Sequence, residues 1–143
     1  MDDLIKILQA SVAPTVLISG AGLILLTMTN RLARTIDRIR LLTNEHKSAP
    51  HPEAAKLLQQ IKILYKRCQL LQIAVVLTMG SIICVSTVIL MLFSSLAFNL
   101  NFLIMIKIVF ALGLVSLISA LVYFLCDIKL SLHSVTIEIQ HLI

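Results

Sequence analysis

Three long apolar runs dominate the chain, and a basic stretch with helical periodicity separates the first two. The runs cover about residues 8–28, 71–93 and 102–125. Because a helix rises about 1.5 Å per residue, roughly 20 residues cross a hydrocarbon core of about 30 Å. The pattern predicts an all-α integral membrane protein with three transmembrane helices in a single membrane domain, residues 1–143.

The basic stretch, residues 30–67, predicts a helical hairpin that continues the first two spans. Apolar residues in each half share one helical face: Leu32, Ile36 and Ile39 in the first, and Leu57, Ile61 and Leu64 in the second. The segment HKSAPHP, with two prolines, marks the turn between the halves. We expect the two apolar faces to pack against each other.

Two further elements follow the hairpin. A very short turn at residues 98–101 joins spans two and three, which we expect to be antiparallel neighbours. Residues 127–143 predict a C-terminal amphipathic helix whose apolar residues share one face: Ile128, Leu132, Val135, Ile139 and Leu142. This helix either lies on the membrane or packs on the basic hairpin, with Asp127 and Glu138 facing the arginines.

Positive charge is concentrated in the hairpin. Of the 12 Lys and Arg in the chain, nine lie between Arg31 and Arg67 together with three acids, so this segment carries +6 against +5 for the whole chain. Cytoplasmic loops of membrane proteins carry such an excess of Lys and Arg. We therefore predict that the hairpin and the C-terminus are cytoplasmic and that the N-terminus is outside.

Sequence motifs for catalysis and for cofactor binding are absent. The chain has no HExxH, GxSxG, GxGxxG or phosphate-binding loop. Its three cysteines have no CxxC spacing, and His46 and His51 favour a solvated turn over a metal site. We expect no enzyme activity, no metal and no cofactor.

Small and hydroxylated residues form a stripe along the first span: Ser11, Thr15, Ser19 and Gly22. In lipid, small residues let helix backbones approach closely, and hydroxyls hydrogen-bond across the contact. The stripe is therefore either a packing face, within the bundle or between copies, or the lining of a narrow polar path surrounded by copies. Asn30 follows the span and either caps the local backbone or bonds a neighbouring helix.

Basic residues next to the membrane are candidates for contact with lipid or with a partner: Arg31, Arg34, Arg38, Arg40, Lys62, Lys66 and Arg67. Clusters of this kind attract anionic headgroups, by about 1 kcal/mol per residue near the surface. The alternative is ordinary topology-setting charge. Nucleic acid is not expected, because Tyr65 is the one aromatic residue in the basic region.

Lys107 lies just inside the third span. Its ammonium group either reaches the near interface along its flexible side chain or faces the bundle interior as a buried functional cation. The sequence leaves both roles open.

The run from Gln9 to Leu42 resembles the opening of the bacterial domain-of-unknown-function family 2721. The hallmark is a Q-A-x-x-x-P start, an I/L-S-G-x-G centre and a T-N-R-L-x-R-x-x-D-R-x-R end, and the matching residues are Gln9, Ala10, Pro14, Ser19, Gly20, Gly22, Thr29, Asn30, Arg31, Leu32, Arg34, Asp37, Arg38 and Arg40. A weaker second block, Leu64 to Val75, has Gln72 where an arginine is expected. The resemblance implies a small multi-spanning protein of the bacterial inner membrane, without an established activity.

Two hypotheses about function follow from these patterns. The first is a self-associating scaffold or interaction protein, whose basic hairpin faces anionic lipids or a partner. The second is an oligomeric ion-conducting pore lined by the first span, with Asn30 and Arg31 at its mouth. Both predict a homo-oligomer.

Overall fold

Three helices make up the described part of the chain in this computed structural model. They are α1 (Asp2–Ser48), α2 (His51–Phe98) and α3 (Leu103–Gln140). The backbone is described for residues 2–48, 50–98 and 103–140, and side chains are described at positions 5, 8, 9, 11–48, 50, 53–95 and 103–132. No strand occurs in these residues, and the predicted all-α fold is confirmed.

Each of the three helices is long and apolar enough to cross a membrane. The predicted spans at 8–28 and 71–93 lie inside α1 and α2, and α3 begins one residue into the third. At 47 and 48 residues, α1 and α2 are each roughly 70 Å long, about twice the thickness of a hydrocarbon core. The helices therefore continue well beyond the spans, as the hairpin prediction requires.

The turn of the hairpin is short and its second helix is capped. α1 ends at Ser48 and α2 begins at His51. The Pro50 carbonyl accepts hydrogen bonds from the backbone N–H groups of Glu53 and Ala54, at 3.0 and 3.2 Å. The Glu53 bond occupies a donor of the first turn that would otherwise lack a partner, and the Ala54 bond is the first i to i−4 bond of the helix.

The predicted C-terminal helix is not a separate element. α3 continues from the third span to Gln140, so residues 127–140 are its last four turns. The side chains of residues 133–140, Glu138 among them, and residues 141–143 lie outside the described part of the chain. The same holds for residues 99–102, which contain most of the predicted turn between spans two and three.

Burial repeats every seven residues along each helix. In α1 the buried residues at this spacing are Pro14, Ala21, Met28, Thr35 and Leu42; in α2 they are Leu71, Thr78 and Val85; in α3 they are Gly113, Ala120 and Asp127. A repeat of seven residues is the period of coiled-coil packing, in which one seam of each helix stays against its neighbours.

The apolar residues predicted to face each other in the hairpin lie beside or on this repeat. Half-buried positions in α2 are Leu57, Ile61 and Leu64, and in α1 Leu32, Ile36 and Ile39 are half-buried and flank the buried line. Thr35 lies at its centre, because its hydroxyl donates to the Arg31 carbonyl, 2.9 Å away, and so loses no hydrogen bond on burial.

The chain forms two compact units. Unit 1 comprises Met1–Leu26 and Val76–Ala120. In it, a Cβ on Gly113 would lie 3.2 Å from the Cys84 Cβ and 3.3 Å from the Val85 Cγ2. The Ser116 hydroxyl donates to the Leu77 carbonyl, 2.8 Å away. Leu77 of α2 thus meets Ser116 of α3, while the later Cys84 meets the earlier Gly113. The two helices therefore run in opposite directions, and spans two and three are antiparallel neighbours, as predicted.

Unit 2 comprises Thr27–Val75 and Leu121–Ile143. Its buried apolar residues come from α1 and α2: Met28, Leu42, Leu71, Ala74 and Val75. From α3 it buries an acid, Asp127. The predicted single domain stays a prediction.

Candidate functional site

The candidate site is built around a buried carboxylate in unit 2. Asp127 is 0% exposed. It is the third residue in the buried line of α3, in which the two earlier positions, Gly113 and Ala120, are small and uncharged. Taking a carboxylate out of water costs several kcal/mol unless cations and hydrogen bonds compensate it, so its neighbours decide whether the arrangement is stable.

Two arginines from the hairpin supply that compensation. The Arg67 Nε donates a hydrogen bond to Oδ1 of Asp127 at 3.2 Å. The Arg31 Nη2 lies 3.2 Å from Oδ2, as an ion pair without an aligned hydrogen bond. Each carboxylate oxygen thus contacts an arginine from a different helix, Oδ1 from α2 and Oδ2 from α1. We call Arg31, Arg67 and Asp127 the Asp127 cluster.

The antiparallel hairpin explains why these two arginines meet. Arg31 lies 17 residues before the end of α1 at Ser48, and Arg67 lies 16 residues after the start of α2 at His51. Nearly equal distances from a tight turn place two residues at about the same level of an antiparallel pair. The cluster therefore follows from helix lengths and from the position of the turn.

Arg31 has a second contact on α3. Its guanidinium carbon lies 5.4 Å from the centroid of the Phe124 ring. Phe124 precedes Asp127 by three residues, which places both on one face of α3. A guanidinium over an aromatic ring gains about 0.5–2 kcal/mol, more when it is desolvated. The side chain of Arg31 is held by charge and by the ring together.

The cluster carries one excess positive charge. Two guanidinium groups share one carboxylate, and an arginine stays protonated throughout the physiological pH range. The side chains of Arg31 and Arg67 are 30% and 16% exposed. The charge is thus only partly in contact with solvent, and Arg31 is the more open of the two cations.

The structure divides the basic residues that the sequence grouped together. Arg31 and Arg67 belong to the Asp127 cluster, whereas five others are exposed: Arg34, Arg38, Arg40, Lys62 and Lys66. Both ion pairs found among the described residues involve Asp127. The five exposed cations therefore have no acidic partner within the described part of the chain.

Comparison with known proteins places the whole cluster in one family. A family model described as Protein of unknown function (DUF2721) matches residues 11–137. The chain belongs to this family. The resemblance seen in its first 42 residues is thereby confirmed, and all three residues of the Asp127 cluster lie inside the DUF2721 match. No curated protein and no solved structure matches the chain.

The stripe on the first span has a mixed position in this DUF2721 protein. Ser11 is buried and Gly22 half-buried, while Thr15 and Ser19 are exposed. The exposed hydroxyls donate to their own helix, Thr15 to the Ser11 carbonyl at 2.7 Å and Ser19 to the Thr15 carbonyl at 3.2 Å. No atom lies within 4 Å of a Cβ built on Gly22. Whether copies pack on this stripe or assemble it into a pore stays a prediction.

Two further candidates are placed by the structure. Asn30 is exposed and lies in the interior of α1, and both roles suggested for it, capping the local backbone and bonding a neighbouring helix, stay predictions. Lys107 is exposed, so it is not a cation buried inside the protomer. Its alternative role, reaching the membrane interface, stays a prediction.

The role of Asp127 is not evident from its local sequence. The amphipathic pattern of the tail predicts contact of Asp127 with the hairpin arginines as one of two placements, without a specific partner among them. The missing signal was the seven-residue spacing of Gly113, Ala120 and Asp127. An acid in register with two small buried residues indicates a core position that needs a cation opposite it.

Proposed function

We propose that this protein is a self-associating membrane interaction protein of the bacterial inner membrane, whose cytoplasmic hairpin binds anionic lipid headgroups. The observation that supports lipid binding is the division of the basic residues. Arg31 and Arg67 neutralise Asp127, whereas Arg34, Arg38, Lys62 and Lys66 are exposed without a described acidic partner. Their charge is available to anions outside the protein.

The position of these cations along the helices suits headgroup binding. Measured from the Asp127 cluster at about 1.5 Å per residue, Lys66 and Arg34 lie within about 5 Å along their helix axes. Lys62 and Arg38 lie about 8 and 10 Å away on the same scale. The headgroup layer adds roughly 5–8 Å on each side of the hydrocarbon core. Lys66 and Arg34 are therefore nearest this layer, and Arg40, at about 13 Å, is the farthest of the five exposed cations.

The energy available from these residues is modest but additive. Each basic residue near an anionic surface contributes about 1 kcal/mol, which is about fivefold in binding. Three or four such residues are sufficient for a clear preference for anionic over zwitterionic lipid. Salt weakens this preference, because the residues are exposed and the Debye length is about 8 Å at physiological ionic strength.

Self-association is supported by a separate observation. A Cβ added to Gly20 or to Gly22 would have no atom within 4 Å, so the protomer itself does not use these glycines for close packing. Thr15 and Ser19, on the same span, are also exposed. A small-residue surface left open by the protomer suits the close approach of a second helix.

The test of lipid binding uses the full-length protein reconstituted in mixed phosphatidylglycerol and phosphatidylcholine bilayers. Spin-labelled forms of each lipid report, by electron paramagnetic resonance, which lipid is held at the protein boundary. We expect several-fold selection of phosphatidylglycerol, which falls in high salt. Replacing Arg34, Arg38, Lys62 and Lys66 by Gln removes most of the selection.

A matched control separates position from charge. The variant Arg40→Gln with Lys56→Gln also removes exposed cations of the hairpin, but both lie farther from the Asp127 cluster than the four residues replaced above. We expect it to retain the selection. Equal association of the two lipids with the unmodified protein would overturn the proposal.

A further inference from the structure

We infer that the Asp127 cluster is a binding site for one phosphate group, with the Arg31 guanidinium as its main donor. If the phosphate is that of a lipid headgroup, this inference rests on the proposed function. A soluble phosphate has the same chemistry, and the experiment below distinguishes the two sources. The site differs from the exposed cations of the hairpin in being pre-organised by Asp127 and Phe124.

Charge is the first reason. The cluster holds two cations and one anion, and its carboxylate is fully buried while the arginines are mostly buried. An uncompensated charge in a partly desolvated position is costly. A bound anion would complete the neutralisation that Asp127 begins.

The donor geometry of Arg31 is the second reason. A guanidinium has five N–H donors in a planar fork that matches two oxygens of a phosphate. Asp127 pairs with the Nη2 atom at one corner of this fork, at 3.2 Å, and Arg31 is the more exposed of the two arginines. Arg34 follows three residues later on the same side of α1 and is exposed, so a second cation is within reach of the same anion.

Rigidity is the third reason. The Arg31 side chain contacts Asp127 at 3.2 Å and lies 5.4 Å over the Phe124 ring. A side chain that is ordered before binding loses less conformational entropy when a ligand arrives. Asp127 and Phe124 are therefore positioning residues, and Arg31 is the binding residue.

Depth along the helices favours a lipid as the source. Each member of the cluster lies a few residues outside a predicted span. Arg31 is three residues beyond the end of span one, Arg67 is four residues before the start of span two, and Asp127 is two residues beyond the end of span three. At about 1.5 Å per residue, all three are within roughly 6 Å of the ends of the predicted spans. This is the layer in which lipid phosphates lie.

The experiment measures binding to purified, delipidated, full-length protein in a neutral detergent by native mass spectrometry. The probes are phosphatidylglycerol, uncharged diacylglycerol as a negative control, and inorganic phosphate as a competitor. We expect one phosphatidylglycerol to bind before any others and diacylglycerol not to bind at that site. Arg31→Gln should weaken this first binding by roughly tenfold or more, the loss of a charge-assisted hydrogen bond.

Two other variants make the result specific. Arg31→Lys keeps the charge and the pairing with Asp127 but lacks the planar fork, and we expect intermediate affinity. Arg40→Gln removes an exposed arginine of the same helix and should bind as the unmodified protein does. Circular dichroism and elution from a sizing column verify that each variant is folded, and Arg31→Lys tests the site even where Arg31→Gln does not fold.

The outcomes separate the site from the proposed function. Equal weakening by Arg31→Gln and Arg40→Gln would overturn the site and leave diffuse lipid attraction standing. Absence of any preference for phosphatidylglycerol, here and in the bilayer test, would overturn both. Displacement of the first lipid by millimolar inorganic phosphate, with the same dependence on Arg31, would support the site and assign it a soluble ligand.

Discussion

The two compact units of this protein use α3 in opposite ways. In unit 1, α3 packs closely on α2 at Gly113, which has no side chain. A Cβ at this position would lie 3.2 Å from the Cβ of Cys84. In unit 2, seven residues beyond Ala120, the same buried line of α3 presents a carboxylate that binds arginines of both other helices. One contact depends on shape and the other on charge.

The difference follows from the surroundings of each contact. Inside a membrane, lipid tails are as apolar as leucine, so helices gain specificity from close packing of small residues. At the edge of the membrane, water and headgroups are near, and a charged cluster can be neutralised from several sides. Such a cluster contributes little net stability compared with apolar packing, but it penalises any arrangement that leaves one member alone. Unit 2 is thus fixed by the cost of separating its charges.

The largest expected effect comes from removing the acid at the centre of unit 2. Asp127→Ala leaves the Arg31 and Arg67 guanidinium groups next to each other without a counter-ion. Breaking a buried ion pair in this way costs about 3–5 kcal/mol. We expect the lower end of that range, because Arg31 is partly exposed to solvent. The measurement is the free energy of unfolding in mixed detergent micelles.

Two controls decide whether the charge is the cause. Asp37→Ala removes an exposed acid of α1 that has no ion pair among the described residues, and it should change stability by less than about 0.5 kcal/mol. Replacing Arg31, Arg67 and Asp127 together by Leu removes all three charges and should restore most of the stability. A triple variant as unstable as Asp127→Ala would mean that packing, rather than charge, is lost.

A smaller effect is expected from filling the gap in unit 1. Gly113→Ala places a methyl group 3.2 Å from the Cys84 Cβ and 3.3 Å from the Val85 Cγ2, so α2 and α3 must separate slightly. Overpacking of this kind costs about 1–3 kcal/mol, of which the better helix propensity of alanine returns up to about 1 kcal/mol. The same unfolding experiment measures the net loss.

Gly20→Ala is the matched control for this change. Nothing lies within 4 Å of a Cβ at Gly20, so only the gain in helix propensity remains, and we expect unchanged or slightly higher stability. If both glycine variants lose stability equally, the close approach at Gly113 is not what holds α2 to α3.

The lengths of the apolar runs and the position of the prolines were sufficient to predict the three-helix fold. Apolar runs of about 20 residues gave the three helices, and the HKSAPHP segment gave the turn between α1 and α2. Hydropathy did not reveal which faces are buried, because lipid accepts apolar residues as readily as the protein interior does. Leu23 is 70% exposed, whereas Ala21, two residues earlier, is 3% exposed. Size and spacing, rather than hydropathy, separate the two.

The Asp127 cluster was harder to predict for a related reason. Arg31 looks like one member of a solvated series with Arg34 and Arg38, and no local pattern sets it apart. Arg31 faces the protein because the turn between α1 and α2 places it opposite Arg67, and because it pairs with Asp127, which is almost 100 residues away in the chain. Only the seven-residue repeat on α3 carries that information in the sequence.

The smallest expected effect sharpens the contrast between shape and charge. The Ser116 hydroxyl of α3 donates to the Leu77 carbonyl of α2, 2.8 Å away, whereas the Ser119 hydroxyl donates to the Val115 carbonyl of its own helix, also at 2.8 Å. Ser116→Ala removes a bond between helices, and such bonds contribute about 0.6 kcal/mol on average in membrane proteins. Ser119→Ala should have no measurable effect. A loss above about 2 kcal/mol for Ser116→Ala would exceed the range measured for such bonds and would show that unit 1, like unit 2, depends on a polar contact.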